Sequence, residues 1–244
     1  MITSGPYLGD GVRSAFSGRP GGVSGPPYDS LNLGLGVADD PAAVRANRAA
    51  LAAACGLPPD ELIFMRQTHS ADVWYAGPGS REPPGPVDAM FTDVPGRALC
   101  VLVADCVPVL IADPVARIVG AAHAGRDGLA GGVVPALISA MMTAGASPAD
   151  AFAVTGPSIC GGCYEVPPQL QEQVSALVPA ARCATFAGTT GLDIASGVRS
   201  QLAAAGVANI TTDGRCTRES AGLYSYRRDG VTGRFAGLIW LAPR

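Results

Sequence analysis

The chain contains no lysine; all 17 of its basic residues are arginine. That absence excludes a Schiff-base lysine, a lysine general base and the lysine of a phosphate-binding P-loop. Histidine is nearly absent too, with only His69 and His123. Few side chains can therefore carry protons near neutral pH, and a multicopper oxidase centre, which needs many imidazoles, cannot be assembled. Long apolar runs are missing: the longest, Ala98–Ala104, is far too short to cross a bilayer. Positive charge is not in excess, the net charge being −3, so nothing favours nucleic acid or an anionic membrane as a partner. The opening Met1-Ile-Thr-Ser-Gly-Pro-Tyr7 has no basic stretch followed by an apolar core, so no secretory signal is expected. Seven cysteines are odd in number and scattered, which argues against a disulfide framework and for a reducing cytoplasm.

What is present suits one large domain spanning residues 1–244, with 48% hydrophobic residues to fill its core. Residues 1–36 read as loops and edge strands whose Phe16, Tyr28, Leu31 and Leu33 require burial. A helix is expected from Asp40-Pro41, with Asp40 as N-cap, to Gly56. Strand pieces are expected at Leu62–Met65 and Val73–Tyr75. Leu99–Ala112 reads as one strand buried on both faces, and Ile118–Ala122 as the next, ending at His123. Helices follow over Leu129–Met142, Gln169–Val178 and Ile194–Ala205, with strands at Phe152–Gly156 and Phe235–Leu241. Strands and helices do not alternate strictly, which makes the class α+β.

The chemistry-bearing residues are few. His69 and His123 bracket Cys106 in the stretch Val103-Ala-Asp-Cys-Val-Pro108. Two imidazoles and a thiolate suit zinc, and three protein ligands leave one position open for water or substrate. Each residue alone also fits an ordinary core position, and the residues by themselves leave both readings standing. Asp105 is a carboxylate in an apolar run, costly unless it is paired or orients something, and Pro108 is expected to interrupt the strand beside Cys106. Cys160-Gly-Gly-Cys163 has the spacing of a redox pair or half a zinc knuckle, but no βαβ redox context precedes it and no second Cys-x-x-Cys completes it, so it reads as a tight glycine turn with incidental thiols. Ser225-Tyr-Arg-Arg-Asp-Gly230 reads as a charged loop. Its functional reading is anion capture by Arg227 or Arg228, aided by backbone N–H groups of the Gly125–Gly128 turn.

Several motifs run in order along nearly the whole chain: Gly21-Gly-Val-Ser24, Ser30-Leu-Asn-Leu-Gly34, Gln67-Thr-His69 and Asp88-Ala-Met-Phe-Thr-Asp93. They continue through Ala104-Asp-Cys-Val-Pro108, Gly120-Ala-Ala-His-Ala-Gly125, Cys163-Tyr-Glu165 and Ser225-Tyr-Arg-Arg-Asp229. In these the chain resembles the bacterial YfiH/YlmD group, related to the laccase-domain-containing proteins of animals. The resemblance implies a layered αββα domain and zinc held by His69, Cys106 and His123. It also implies phosphorolysis of adenosine, inosine and methylthioadenosine, and deamination of adenosine. Catalytic roles are then expected for Cys106, His69, His123 and Asp105, the last orienting a ligand or protonating the leaving purine. Gln67, Arg227 and Arg228 are expected to bind substrate. The partners are purine nucleosides and phosphate, and the chain is expected to be a monomer or weak homo-oligomer. One departure stands out: family members often read His-Ala-Gly-Trp-Arg-Gly, whereas this chain has His123-Ala-Gly-Arg-Asp-Gly128.

Three other functions compete. The family's laccase label suggests phenol oxidation, which here would come from copper replacing zinc at the same ligands. A metal-free hydrolase with Cys106 as nucleophile and a histidine as base would suit editing of peptidoglycan precursors. A partner-binding scaffold with a structural metal is the non-enzymatic reading.

Overall fold

The computed structural model describes residues 2–243. Strands β1 (Ile2–Ser4) and β2 (Val12–Ser17) precede helix α1 (Pro41–Cys55). As expected, Asp40 caps α1, its carboxylate accepting the Ala42 N–H at 2.8 Å, and Gly56 closes it in a left-handed conformation. The middle of the chain is mostly strand: β3 (Leu62–Phe64), β4 (Val73–Tyr75), β5 (Ala89–Thr92), β6 (Ala98–Val103), β7 (Val107–Asp113) and β8 (Ile118–Ala124). Helices α2 (Arg126–Ala130) and α3 (Val133–Thr143) lead to β9 (Phe152–Thr155) and α4 (Pro168–Leu177). The remainder comprises β10 (Arg182–Ala184), β11 (Thr190–Leu192), α5 (Ile194–Ala204), β12 (Asn209–Thr212), α6 (Tyr226–Asp229) and β13 (Phe235–Leu241).

Two mixed sheets dominate, in the orders β1-β2-β13-β6-β3 and β12-β9-β7-β8-β5-β4, with β10 and β11 as a separate pair. The sheets pack face to face through Phe16, Ile63, Met90, Leu99, Leu110 and Val119. Helix α1 covers the outer face of the first sheet, where Leu51 meets Leu62, Leu238 and Trp240. Helices α2 to α5 cover the outer face of the second, where Leu129, Leu137 and Val198 pack with Val109, Ile111 and Ala122. The result is the α+β, helix–sheet–sheet–helix layering. Alternate residues of β6 serve different layers: Leu99, Val101 and Val103 face the other sheet while Ala98 and Cys100 face α1. Both faces are buried, which is why the run shows no polar alternation.

Three expectations need correction. The apolar run 99–112 is two strands in different sheets, because the chain turns at Asp105, whose φ is +95°. Pro108 is not the interruption; it lies inside β7, opposite His123 of β8. The helix expected over 129–142 is two helices, since Gly132 takes a left-handed conformation (φ +79°) that only glycine adopts cheaply.

Candidate metal centre

His69 lies where the chain leaves the first sheet for the second, between β3 and β4, and Cys106 lies on the corresponding crossing between β6 and β7. His123 stands near the end of β8. The two crossings and the strand end meet at the seam of the sandwich, which explains how residues so far apart in sequence converge. Their ligand atoms all lie within 4.8 Å of one another, Cys106 Sγ and His69 Nε2 at 3.8 Å. His69, like Asp105, holds a left-handed backbone (φ +64°) rare for a side chain of its size. Gly125 forms the opposite wall. A Cβ there would stand 2.6 Å from His69 Cδ2 and 3.1 Å from Cys106 Sγ, so any larger residue forces the His69 ring and the Cys106 sulfur to shift.

Asp88, to which the sequence reading assigned no role, organises this centre. It is fully buried, and one of its oxygens lies 2.8 Å from His123 Nδ1. The other accepts the backbone N–H groups of Thr68 (2.9 Å) and Ser70 (2.7 Å) and the Ser70 hydroxyl (3.0 Å). One carboxylate thus fixes the His123 ring and the loop that carries His69. Burial alone would raise its pKa, but the bonds from His123, Thr68 and Ser70 outweigh burial and hold the carboxyl well below the usual carboxylate range. Burial also lowers the His123 pKa, keeping the imidazole neutral as a ligand must be. With Nδ1–H donated to Asp88, Nε2 is left for a metal, the carboxylate–histidine arrangement typical of metal sites. Burial and then the Asp105 charge push the Cys106 thiol up to about 12. Such a sulfur is no free thiolate at neutral pH but becomes one against a cation. Two imidazoles, a thiol awaiting a cation and an oriented ring together fit zinc.

The centre lies on the floor of a cavity of about 990 Å³. Arg48, Arg66, Arg81, Arg126, Arg227 and Arg234 line it, against only Glu82 and Asp105 as acids. Among the described residues, Arg48, Arg66, Arg227 and Arg234 form no ion pair with a carboxylate. Arg48 stacks 3.7 Å above the Phe64 ring, and burial lowers its pKa only to about 10, so it stays charged. Arg227 lies over the Tyr164 ring at 4.8 Å and donates to the Glu165 carbonyl at 2.8 Å. Guanidiniums without a carboxylate partner around one space make an anion site.

The other expected site residues divide. Asp105 lines the cavity, yet both its oxygens are engaged, accepting the Thr217 hydroxyl and the Arg227 backbone N–H, each at 2.6 Å. These two bonds anchor the segment after Cys216 and the start of α6 to the turn that carries Cys106. Gln67 also lines the cavity, but its amide pairs with the backbone of Leu102, donating at 2.7 Å and accepting at 2.8 Å. It extends the β3–β6 pairing by one side chain and clamps the His69 loop to β6. Arg228 is not among the lining residues. Its guanidinium donates to the carbonyls of Thr217, Ser220 and Leu223 and pairs with Asp229. Arg126 lines the cavity and pairs with Asp127 at 2.8 Å. Arg234 was not singled out from sequence; an isolated arginine offers no local signal.

The family model of the multi-copper polyphenol oxidoreductase laccase matches residues 13–242. A Streptomyces coelicolor protein named purine nucleoside phosphorylase is 50% identical over 95% of this chain and 96% of its own. A Streptomyces griseus protein of the same name is 51% identical over 93% of each chain. The crystal structure of YlmD from Geobacillus stearothermophilus superposes with a TM-score of 0.90 at 34% identity, covering 96% of this chain and 93% of that one.

Proposed function

The chain belongs to the YfiH/YlmD family that this laccase-type model describes, and from that premise we propose that it is a zinc-dependent purine nucleoside phosphorylase. One observation carries the reading: His69, Cys106 and His123 converge on the floor of a cavity whose walls hold four guanidiniums without carboxylate partners. A ligand triad beside an anion site suits a neutral substrate that reacts with phosphate. The relatives' name supports the same reaction.

The substrates are adenosine, inosine and methylthioadenosine. In phosphorolysis a phosphate oxygen bonds to C1′ of the sugar as the bond to the purine breaks; the base takes up a proton and the sugar leaves as its 1-phosphate, ribose-1-phosphate from adenosine or inosine and 5-methylthioribose-1-phosphate from methylthioadenosine. Arg227 and Arg234 hold the phosphate and offset its charge. Tyr164 lines the cavity beneath Arg227 and offers the base an aromatic surface. Phe64, Met65 and Leu35 line an apolar part of the cavity that accommodates a methylthio group. Asp105 positions Arg227 through its backbone, and Gln67 and Asp88 position His69. When bound, zinc supplies a Lewis acid with one position open. Deamination of adenosine, in which water replaces the amino group and ammonia leaves, is the second reaction of the same site.

Cys106 acting as a nucleophile on an amide, with His69 as base, draws on their 3.8 Å separation. A thiol pushed up to about 12 opposes it, since such a reaction needs thiolate without a cation. The test of the phosphorylase reading is to incubate zinc-loaded protein with adenosine, with and without phosphate, and identify products by mass. Adenine and ribose-1-phosphate only with phosphate, and inosine without it, are expected, with both lost in Cys106→Ala. No turnover of adenosine or inosine under either condition overturns the reading.

A further inference from the structure

Three of the remaining cysteines meet away from the centre just described. Cys160 and Cys163 come from the turn after β9, and Cys216 from the segment between β12 and α6. Together with the Glu219 carboxylate, their ligand atoms all lie within 4.8 Å of one another. We propose that Cys160, Cys163, Cys216 and Glu219 form a second zinc site, structural in role, that braces one wall of the substrate cavity.

The reading of Cys160-Gly-Gly-Cys163 as incidental thiols rested on the lack of a second Cys-x-x-Cys. The fold supplies the missing ligands from Cys216-Thr-Arg-Glu219 instead. A tetrahedral zinc with Zn–S bonds of about 2.3 Å holds its sulfurs about 3.8 Å apart, so a contraction of about 1 Å at most closes the cluster. The backbone already has the form such a site needs. The N–H groups of Cys163 and Tyr164 both donate to the Cys160 carbonyl at 3.0 Å, curling the turn. The Cys160 N–H donates to Cys216 Sγ at 3.4 Å, and Ser158 and Cys216 form a parallel bridge that holds the two segments side by side. Cys163 and Cys216 are buried, Cys160 is partly buried and Glu219 is exposed. The sulfurs thus close the site from within and the carboxylate caps it toward solvent. Binding displaces three thiol protons. The Arg228 guanidinium donates to the carbonyl of Thr217, the residue after Cys216, at 2.8 Å, and its charge offsets part of the negative charge of three thiolates and a carboxylate around a dication.

The placement gives this site its role. Ile159 and Tyr164 flank the Cys160–Cys163 turn and line the cavity. Thr217 follows Cys216 and holds Asp105, the residue before Cys106, at 2.6 Å. A metal here ties two loops to the turn that presents Cys106 and takes no part in the reaction.

The test counts metal in the full-length protein, purified under reducing conditions and dialysed. Two zinc ions per chain are expected in the wild type and one in Cys106→Ala, which removes only the first centre. Cobalt-loaded Cys106→Ala is expected to show an intense thiolate-to-cobalt charge-transfer band, since the remaining thiolate cluster is the second site. Cys160→Ser is expected to fall from two ions to one. One zinc in the wild type with none, and no charge-transfer band, in Cys106→Ala overturns the proposal whether or not Cys160→Ser folds. An intact mass two hydrogens lighter, with a single zinc, also overturns it, identifying a disulfide instead. These counts need no turnover, so failure of the phosphorylase reading and failure of this one are distinguishable.

Discussion

Replacing Asp88 with asparagine is expected to weaken zinc binding severely while leaving the fold intact. The carboxylate accepts on both sides: from His123 Nδ1 at 2.8 Å, and from the N–H groups of Thr68 and Ser70 at 2.9 and 2.7 Å. An amide of the same shape has one accepting oxygen and one donating NH₂. With its oxygen toward Thr68 and Ser70, the NH₂ meets Nδ1 and forces the tautomer that carries its proton on Nε2, the nitrogen required by the metal. With its oxygen toward His123, the NH₂ opposes the N–H groups of Thr68 and Ser70, both donors lose their acceptor, and the His69 loop moves. Losing an outer partner of a metal ligand typically costs about 10–100-fold in affinity. Asp88 supports two of the three ligands, so the upper end, about 100-fold or about 2.8 kcal/mol, is expected. Competition for zinc against a chromogenic chelator at fixed neutral pH measures it. An Asp88→Asn dissociation constant within about threefold of wild type, under 1 kcal/mol, refutes the reasoning.

Gly125→Ala places a Cβ 2.6 Å from the His69 ring and 3.1 Å from Cys106 Sγ; zinc affinity is expected to fall about tenfold or more, about 1.4 kcal/mol, with unfolding little changed, and an unaltered affinity contradicts it. Arg227→Ala is expected to raise the KM for phosphate about tenfold, the worth of one charge-assisted hydrogen bond. Arg228→Ala is expected to leave that KM alone and to lower stability by about 2–4 kcal/mol through the carbonyls of Thr217, Ser220 and Leu223 that it unpairs; parallel steady-state kinetics and urea unfolding separate the two, and reversed effects overturn the assignment. The Asp88 carboxyl lies below its ordinary value in the fold, so its stabilising contribution is complete above the unfolded value of about 3.9 and is lost as pH falls through the lower folded value. Acid titration of the metal-free protein followed by circular dichroism is expected to show a shallower loss in that window for Asp88→Asn; identical slopes contradict it.

Much of the fold was legible because its signals are local. Asp40 starts α1 through its capping carboxylate and Gly56 ends it in the left-handed conformation open to glycine, and β13 occupies the expected Phe235–Leu241. The run 99–112 misleads because both β6 and β7 are buried on two faces, which removes the alternation that would separate them. The change of sheet rests on one backbone angle at Asp105, marked in sequence only by a carboxylate among apolar residues. The same mark was present at Asp88, between Val87 and Ala89, and the same physical argument applies to it: a buried carboxylate has to be paired. His69, Cys106 and His123 stand out in sequence because the chain offers so few imidazoles, but their convergence, with ligand atoms within 4.8 Å of one another, was implied only by the family resemblance. Arg227 and Arg228 are adjacent and alike in sequence, and only the turn of α6 sends one to the cavity and the other to carbonyls. Cys216 could not be joined to Cys160 and Cys163 without the Ser158–Cys216 bridge, a contact between segments distant in the chain.

The measurement that tests the central claim most directly is purine release from inosine in phosphate by protein stripped with a chelator and then titrated with zinc. The account expects no release from the stripped protein, recovery on adding zinc, and no recovery in Cys106→Ala at any zinc concentration. Undiminished release by the stripped protein, or recovery in Cys106→Ala, contradicts it.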